Sequence, residues 1–137
     1  MNIFFTGSIR GGRAHQPTYM HIVETLGQYG NVSPQYVSDE TLSHHGETDI
    51  TARDISERER TALAKSDVVV AEVTTPSLGV GYLIACATAL EKNVIALYRG
   101  EDTFKLSAMV KGDPAVEVHT YKTDADIEQV LAKVLGK

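Results

Sequence analysis

The sequence has one cysteine, Cys86, among its 137 residues, which rules out a disulfide framework within the chain. With no second cysteine and no clustered histidines at ligand spacing, a structural zinc site is excluded and no metal is expected. The pair His44-His45 is the one metal-like feature, and in its polar Ser/Gly/Thr surroundings it reads as part of a solvated loop. Tryptophan is absent and aromatic residues make up only 7%, so little is on hand to cover an isoalloxazine, which weighs against a flavin. No long apolar run exists: Val68 to Val73 is interrupted by Glu72 and falls far short of the roughly 20 residues that cross a bilayer. The amino-terminal residues show no basic region or cleavage site, and a cytoplasmic location without membrane contact is expected. Positive charge is also in deficit, with 13 Lys and Arg against 18 Asp and Glu. A net charge of −5 argues against a nucleic-acid polymer as partner, because binding a phosphate backbone needs a basic face. Small anionic ligands are compatible with it. What is present, 42% hydrophobic and 23% charged residues, matches ordinary globular domains, and residues 1–137 are expected to fold as one domain.

Apolar segments alternate with segments of helical period, the signature of an α/β domain with a parallel sheet. The pattern predicts strands at Asn2 to Thr6, Val32 to Val37, Val68 to Val73, Asn93 to Tyr98 and Val116 to Tyr121. Helices are predicted at Pro17 to Tyr29, stopped by Gly30, and at Ile50 to Lys65, Tyr82 to Glu91 and Asp124 to Leu135, with a short turn or helix at Lys105 to Val110. The simplest assembly is a flavodoxin-like, Rossmann-like five-stranded parallel sheet of order 2-1-3-4-5 with helices on both faces. In such sheets ligands bind at the carboxyl ends of the strands, where the loops after the first and third strands meet. The polar stretch Ser38 to Asp49 is long for a connection and is a candidate base-contacting loop.

The first loop reads Gly7-Ser8-Ile9-Arg10-Gly11-Gly12-Arg13. Its glycines let backbone N–H groups turn toward an anion, and Ser8 and Arg10 add a hydroxyl and a guanidinium, so phosphate is the natural ligand. It fits neither G-x-x-x-x-G-K-[ST] nor G-x-G-x-x-G, which removes the main support for a nucleoside triphosphate or a dinucleotide, and no cofactor is expected. The third-strand loop, Thr74-Thr75-Pro76-Ser77-Leu78-Gly79-Val80-Gly81, places a second set of hydroxyls and glycines before a helix N-terminus, which favours a negative group. An ordinary surface turn accounts for either loop alone but not for the shared chemistry of both.

At these residues the sequence resembles the 2′-deoxynucleoside 5′-monophosphate N-glycosidases of the nucleoside deoxyribosyltransferase superfamily. Gly7 to Arg13 is similar to the family's G-S-I-R-G-G-R loop, Asp67 to Tyr82 to its D-V-V-V-A-E-V-T-Q-P-S-L-G-V-G-Y segment, and Leu106-Ser107-Ala108-Met109 to its L-S-A-M. The resemblance spans Asn2 to about Gly112. It implies a flavodoxin-like homodimer that cleaves the N-glycosidic bond of deoxynucleoside monophosphates. It implies too that Ser8, Arg10, Ser77 and Gly79, with Gly7, Gly11 and Gly12 of the same loop, hold the 5′-phosphate, and that Ser107 reaches it from the neighbouring subunit.

The family pattern has a glutamate nucleophile in G-Y-E-L-G, an aspartate acid/base on the helix before the third strand, and a tyrosine in the first-strand motif. Here those positions are Leu83, Glu59 and Phe4. A leucine has no lone pair, so a covalent glycosyl-enzyme at Leu83 is chemically impossible. Leu83, Ala87 and Leu90 read instead as one packed helix face. Loss of the tyrosine hydroxyl together with the carboxylate it would orient looks like one change, because a buried hydroxyl without a partner is costly. Two functions remain: an N-glycoside hydrolase in which Glu59 activates water or protonates the base, and a nucleotide-binding protein that kept the phosphate loops and lost turnover. Glu72 is either a second carboxylate or structural. Glu59 itself reads alternatively as a solvated charge in Ser56-Glu57-Arg58-Glu59-Arg60.

Overall fold

The computed structural model describes residues 1–8, 16–34 and 50–136. Within them the chain runs β1 (Asn2–Thr6), α1 (Gln16–Leu26), β2 (Asn31–Ser33), α2 (Ala52–Ala64), β3 (Val68–Glu72), α3 (Leu78–Ala89), β4 (Asn93–Arg99), α4 (Ala108–Lys111), β5 (Val116–Tyr121) and α5 (Asp124–Leu135). The five strands pair in parallel in the order β2-β1-β3-β4-β5, as the alternation of the sequence predicts. Every residue of β3 is buried, the condition of a central strand covered on both faces.

The period of two along each strand divides the core into two layers. Ile3, Phe5, Val68, Val70, Ile95 and Leu97 pack with Tyr19 and Ile22 of α1 and Ile127 and Leu131 of α5. Phe4, Val69, Ala71, Val94 and Ala96 pack with Leu63 of α2 and Val80, Ile84 and Ala87 of α3 on the other side. Removing each of the Val, Leu, Ile and Phe side chains from water contributes about 1.5–3 kcal/mol, so these two layers dominate the stability of the sheet.

Several boundaries differ from the sequence reading. Helix α1 stops at Leu26, with turns over Gly27 to Tyr29. Gly30 does not stop that helix but lets two stretches of backbone meet, since a Cβ there would lie 2.2 Å from the Met1 carbonyl oxygen and only glycine allows so close an approach. Helix α3 begins at Leu78 rather than Tyr82, because the Ser77 side chain accepts the Val80 N–H and caps it. Its buried face is Val80, Ile84 and Ala87, with Leu83 half-buried and Leu90 exposed, so Leu90 is not part of the core face. Strand β2 ends at Ser33, with Pro34 outside it rather than within the expected strand Val32 to Val37, and the segment from Ser38 to Asp49, with His44-His45, lies outside the described residues. Among the described residues no helix is long and apolar enough to cross a membrane.

Candidate active site

Strand β1 lies between β2 and β3, so successive crossovers leave it in opposite directions and the loops after β1 and β3 meet at the switch point. From β1 the described chain reaches Gly7 and Ser8. Gly7 is packed under Tyr19, and an added Cβ would meet that ring at 3.1 Å. Ser8 is fully buried; its N–H donates to the Tyr19 hydroxyl at 3.2 Å, while its own Oγ has no hydrogen-bond partner among the described residues. A buried hydroxyl without a partner is costly and rare in a native interior, and it marks a place where a ligand oxygen can complete the bonding. Arg10, Gly11 and Gly12 lie outside the described residues.

The β3–α3 loop brings Ser77 to the N-cap of α3, with its Oγ 3.3 Å from the Val80 nitrogen. As acceptor in this bond, Ser77 Oγ keeps its own hydrogen to donate. Packing among the described residues does not require Gly79 and Gly81: a Cβ at Gly79 would come no closer than 3.8 Å to Ser77 Oγ, and one at Gly81 would meet nothing within 4 Å. The glycines thus leave the helix N-terminus open, where free N–H groups and the dipole attract an anion. Ser107 caps α4 by accepting the Met109 N–H at 3.2 Å and is exposed. Phe104 and Met109, on either side of it in sequence, are exposed as well.

Helix α2 precedes β3 and, as a crossover helix, runs antiparallel to the strands, so its earlier turns lie toward their carboxyl ends. Glu59 is one turn before Leu63 on the same face, and Leu63 is in the layer containing Phe4. The reading of Glu59 as a solvated charge is therefore overturned: the residue is only 6% exposed. Burial pushes its carboxyl up to about 7 from an ordinary 4.5, although Arg58 Nη2 donates to its Oε1 at 2.9 Å. Near neutral pH such a group is divided between acid and base, the condition for proton transfer. Leu83 packs against the same layer, and Phe4 is wholly inside it. Neither offers a nucleophile.

Glu72 ends β3 on the other face, the one shared by Val68 and Val70, and is fully buried. Its Oε1 accepts the Thr74 N–H at 2.8 Å and also the Thr74 hydroxyl. The third-strand loop motif includes Thr74 but does not show its bond to Glu72, and motif and periodicity do not point to Tyr19 or Arg99 as parts of this region. Tyr19 follows Ser8 by a helix entry, and Arg99 meets Thr74 across 25 residues, so no local motif carries either contact.

The nucleoside 2-deoxyribosyltransferase family model matches residues 3–126. The chain belongs to this family. A Danio rerio relative, 5-hydroxymethyl-dUMP N-hydrolase, is 46% identical over 134 residues, covering 96% of this chain and 93% of its own. The Mus musculus protein of the same name is 46% identical over 112 residues, covering 81% of this chain and 65% of its own. A solved structure described as the CMP N-glycosidase of Clostridium botulinum superposes with a TM-score of 0.71 at 16% identity, over 98% of this chain and 100% of that one, a likeness of fold. The family resemblance carried by the loops and the fold built from the alternating pattern thus agree.

Proposed function

We propose that this chain hydrolyses the N-glycosidic bond of nucleoside 5′-monophosphates, releasing free base and (deoxy)ribose 5-phosphate. The observation that carries the reading is the burial of Glu59 on the α2–α3 side of the sheet, with its carboxyl held near 7. In its protonated form Glu59 gives a proton to the departing base as the C1′–N bond breaks, a water adds to C1′ and loses its proton to solvent, and Glu59 is then reprotonated. No covalent intermediate forms at Leu83. The names of the relatives, which are nucleotide N-hydrolases, support the substrate class.

The phosphate is proposed to sit between the Gly7–Gly12 loop and the N-terminus of α3, on Ser8, Arg10, Ser77 and Gly79. The buried Ser8 hydroxyl, without a partner among the described residues, and the open glycine positions support this. Ser107 is proposed to reach the same phosphate from a second copy of the chain. The exposed apolar side chains Phe104 and Met109 beside it, and Leu78 and Tyr82 on α3, support a homodimer that would cover them. The proposed setting is the cytoplasm, where a free thiol such as Cys86 stays reduced.

A second reading is favoured by one observation: Leu83 and Phe4, the positions at which the resemblance implies a nucleophile and a tyrosine, are both packed in apolar surroundings. On that reading the protein binds monophosphates without turning them over. Incubating the purified protein with each deoxynucleoside and ribonucleoside monophosphate and separating the products by chromatography decides between them. Free base supports hydrolysis; binding without base release supports the second reading.

A further inference from the structure

Glu72 is a fully buried carboxylate that the proposed chemistry does not use. Such a group is expensive to hold away from water unless its oxygens are hydrogen-bonded. Two donors that reach Oε1 come from one residue, the backbone N–H and the hydroxyl of Thr74. Thr74 Oγ1 also accepts the Arg99 N–H at 2.8 Å, and since a threonine hydroxyl has a single hydrogen, that hydrogen is committed to Glu72. Arg99 ends β4 and is itself held from several sides. Its guanidinium lies 5.9 Å from the Tyr121 ring centre, Nη2 donates to the Lys122 carbonyl at 3.3 Å, and Nη1 is 3.5 Å from Thr18 Oγ1 on α1. The Tyr121 phenol is pushed up by burial and then by the charge of Glu72, which places that carboxylate beside β5 as well.

The chain therefore leaves β3 at a point tied to β4 and, through Arg99, to β5 and α1, and three residues later, past Pro76, it reaches the N-cap Ser77. We infer that Glu72 and Thr74 are a positioning pair that holds the β3–α3 loop in place for the phosphate, with Arg99 as the far anchor. The inference rests on the N-hydrolase reading given above. It assigns Glu72 an acceptor's role on the face opposite Phe4, not that of a second carboxylate acting with Glu59. Phosphate donors on a loop must be held to a fraction of an ångström, and a loosened loop is felt in substrate affinity.

The test compares Thr74→Val, Thr74→Ser, Glu72→Gln and Glu72→Leu with the natural protein, each checked for folding by circular dichroism, with Thr74→Ala used if valine is not accommodated. Thr74→Val and Glu72→Leu are expected to raise KM for a monophosphate by about tenfold, with kcat changed less than about twofold and affinity for the parent nucleoside unchanged. Thr74→Ser and Glu72→Gln keep the hydroxyl and the acceptor oxygen and are expected to stay within about threefold of the natural KM, since position and not charge is at issue. A natural protein that binds monophosphate, with folded Thr74→Val and Glu72→Leu variants that bind it equally well, would overturn this assignment alone. Equal losses for nucleoside and monophosphate would overturn it in favour of a structural role. Failure of the natural protein to bind any monophosphate would overturn the N-hydrolase reading and this assignment together.

Discussion

Phe4 on β1 and Leu83 on α3 lie in one apolar layer, Phe4 fully buried and Leu83 packed against its edge, although they come from opposite ends of the β1–α3 segment. We propose that this layer fills with hydrocarbon the two positions at which the resemblance implies a tyrosine and a glutamate. A carboxylate introduced alone at this place would meet apolar neighbours and lose hydration without gaining a partner.

The pair should therefore be restorable only together. If the natural chain is a scaffold that lost its carboxylate, Leu83→Glu with Phe4→Tyr is expected to raise hydrolysis of deoxynucleoside monophosphates above that of the natural protein, the hydroxyl orienting the carboxylate and the two effects being coupled. If it already hydrolyses efficiently through Glu59, the double substitution is expected to give no gain. Leu83→Glu alone is expected to do less and to destabilise the fold by about 1–3 kcal/mol. Turnover and denaturant midpoints for the natural chain, both single variants and the double variant check this. Strictly additive effects would show that the two residues do not act as a unit.

Strand order and the identity of β1, β5 and α5 are legible in the amino-acid pattern alone, because each is an unbroken pattern with a clear stop. Helix α5, for instance, begins with the Thr123–Asp126 capping box. The start of α3 is hidden because Gly79 and Gly81 look like loop residues. Each glycine costs a helix about 1 kcal/mol, yet the Ser77 cap and the apolar face of Val80 and Ile84 outweigh that. Burial of Glu59 is masked by a run of charges, since only its position one turn before Leu63 sends it inward while Glu57, Arg58 and Arg60 stay exposed. Ser77 and Ser8 can be named from their motifs, but the tie from Thr74 to Arg99 is set by strand pairing, which local sequence does not encode.

Ser77 caps α3, and the proposed phosphate site gives it a second role, offering its hydroxyl to phosphate; the two can be separated. Ser77→Ala is expected to cost about 1 kcal/mol of stability through the lost cap. It should also weaken monophosphate binding by about tenfold while leaving nucleoside binding in place. Ser77→Asp keeps a capping oxygen but adds a charge that repels the phosphate, so it should retain stability and lose affinity. Calorimetric titration with a monophosphate and its nucleoside, beside thermal unfolding, measures both arms; parallel behaviour of the two variants in binding and in stability would refute the double role.

The proposed dimer predicts that exposed apolar residues near Ser107 are covered in solution. Phe104 is 86% exposed and Met109 83%, and Met109→Asp should shift sedimentation from dimer to monomer. If Ser107 acts on the partner's phosphate, the monomeric variant should lose monophosphate affinity about as much as Ser107→Ala does. A natural protein that sediments as a monomer at micromolar concentration and still binds tightly would count against the shared site.

Burial of Glu59 links pH to stability and, in its proposed role as acid, to turnover, with a sign that follows from that burial. Its carboxyl is raised from 4.5 to about 7 in the folded protein, so between those values the folded state holds a proton that the unfolded state has lost. The contribution to stability is then fully present below about pH 4.5 and is lost as pH rises through about 7, a decline on the order of 3 kcal/mol. Glu59→Gln mimics the protonated form and should flatten this decline, leaving the variant more stable than the natural protein near pH 8. Turnover should move in the same direction, because the acid form gives the proton to the leaving base: activity is expected to fall as pH rises past about 7. Glu59→Gln, which has no proton to give, should reduce turnover by about 10²–10⁴-fold at every pH while binding monophosphate normally. Chemical denaturation and product release measured across pH 5 to 9 in both proteins test the two effects from one residue, and a natural activity that rises steadily above about pH 7 would assign Glu59 the role of base instead.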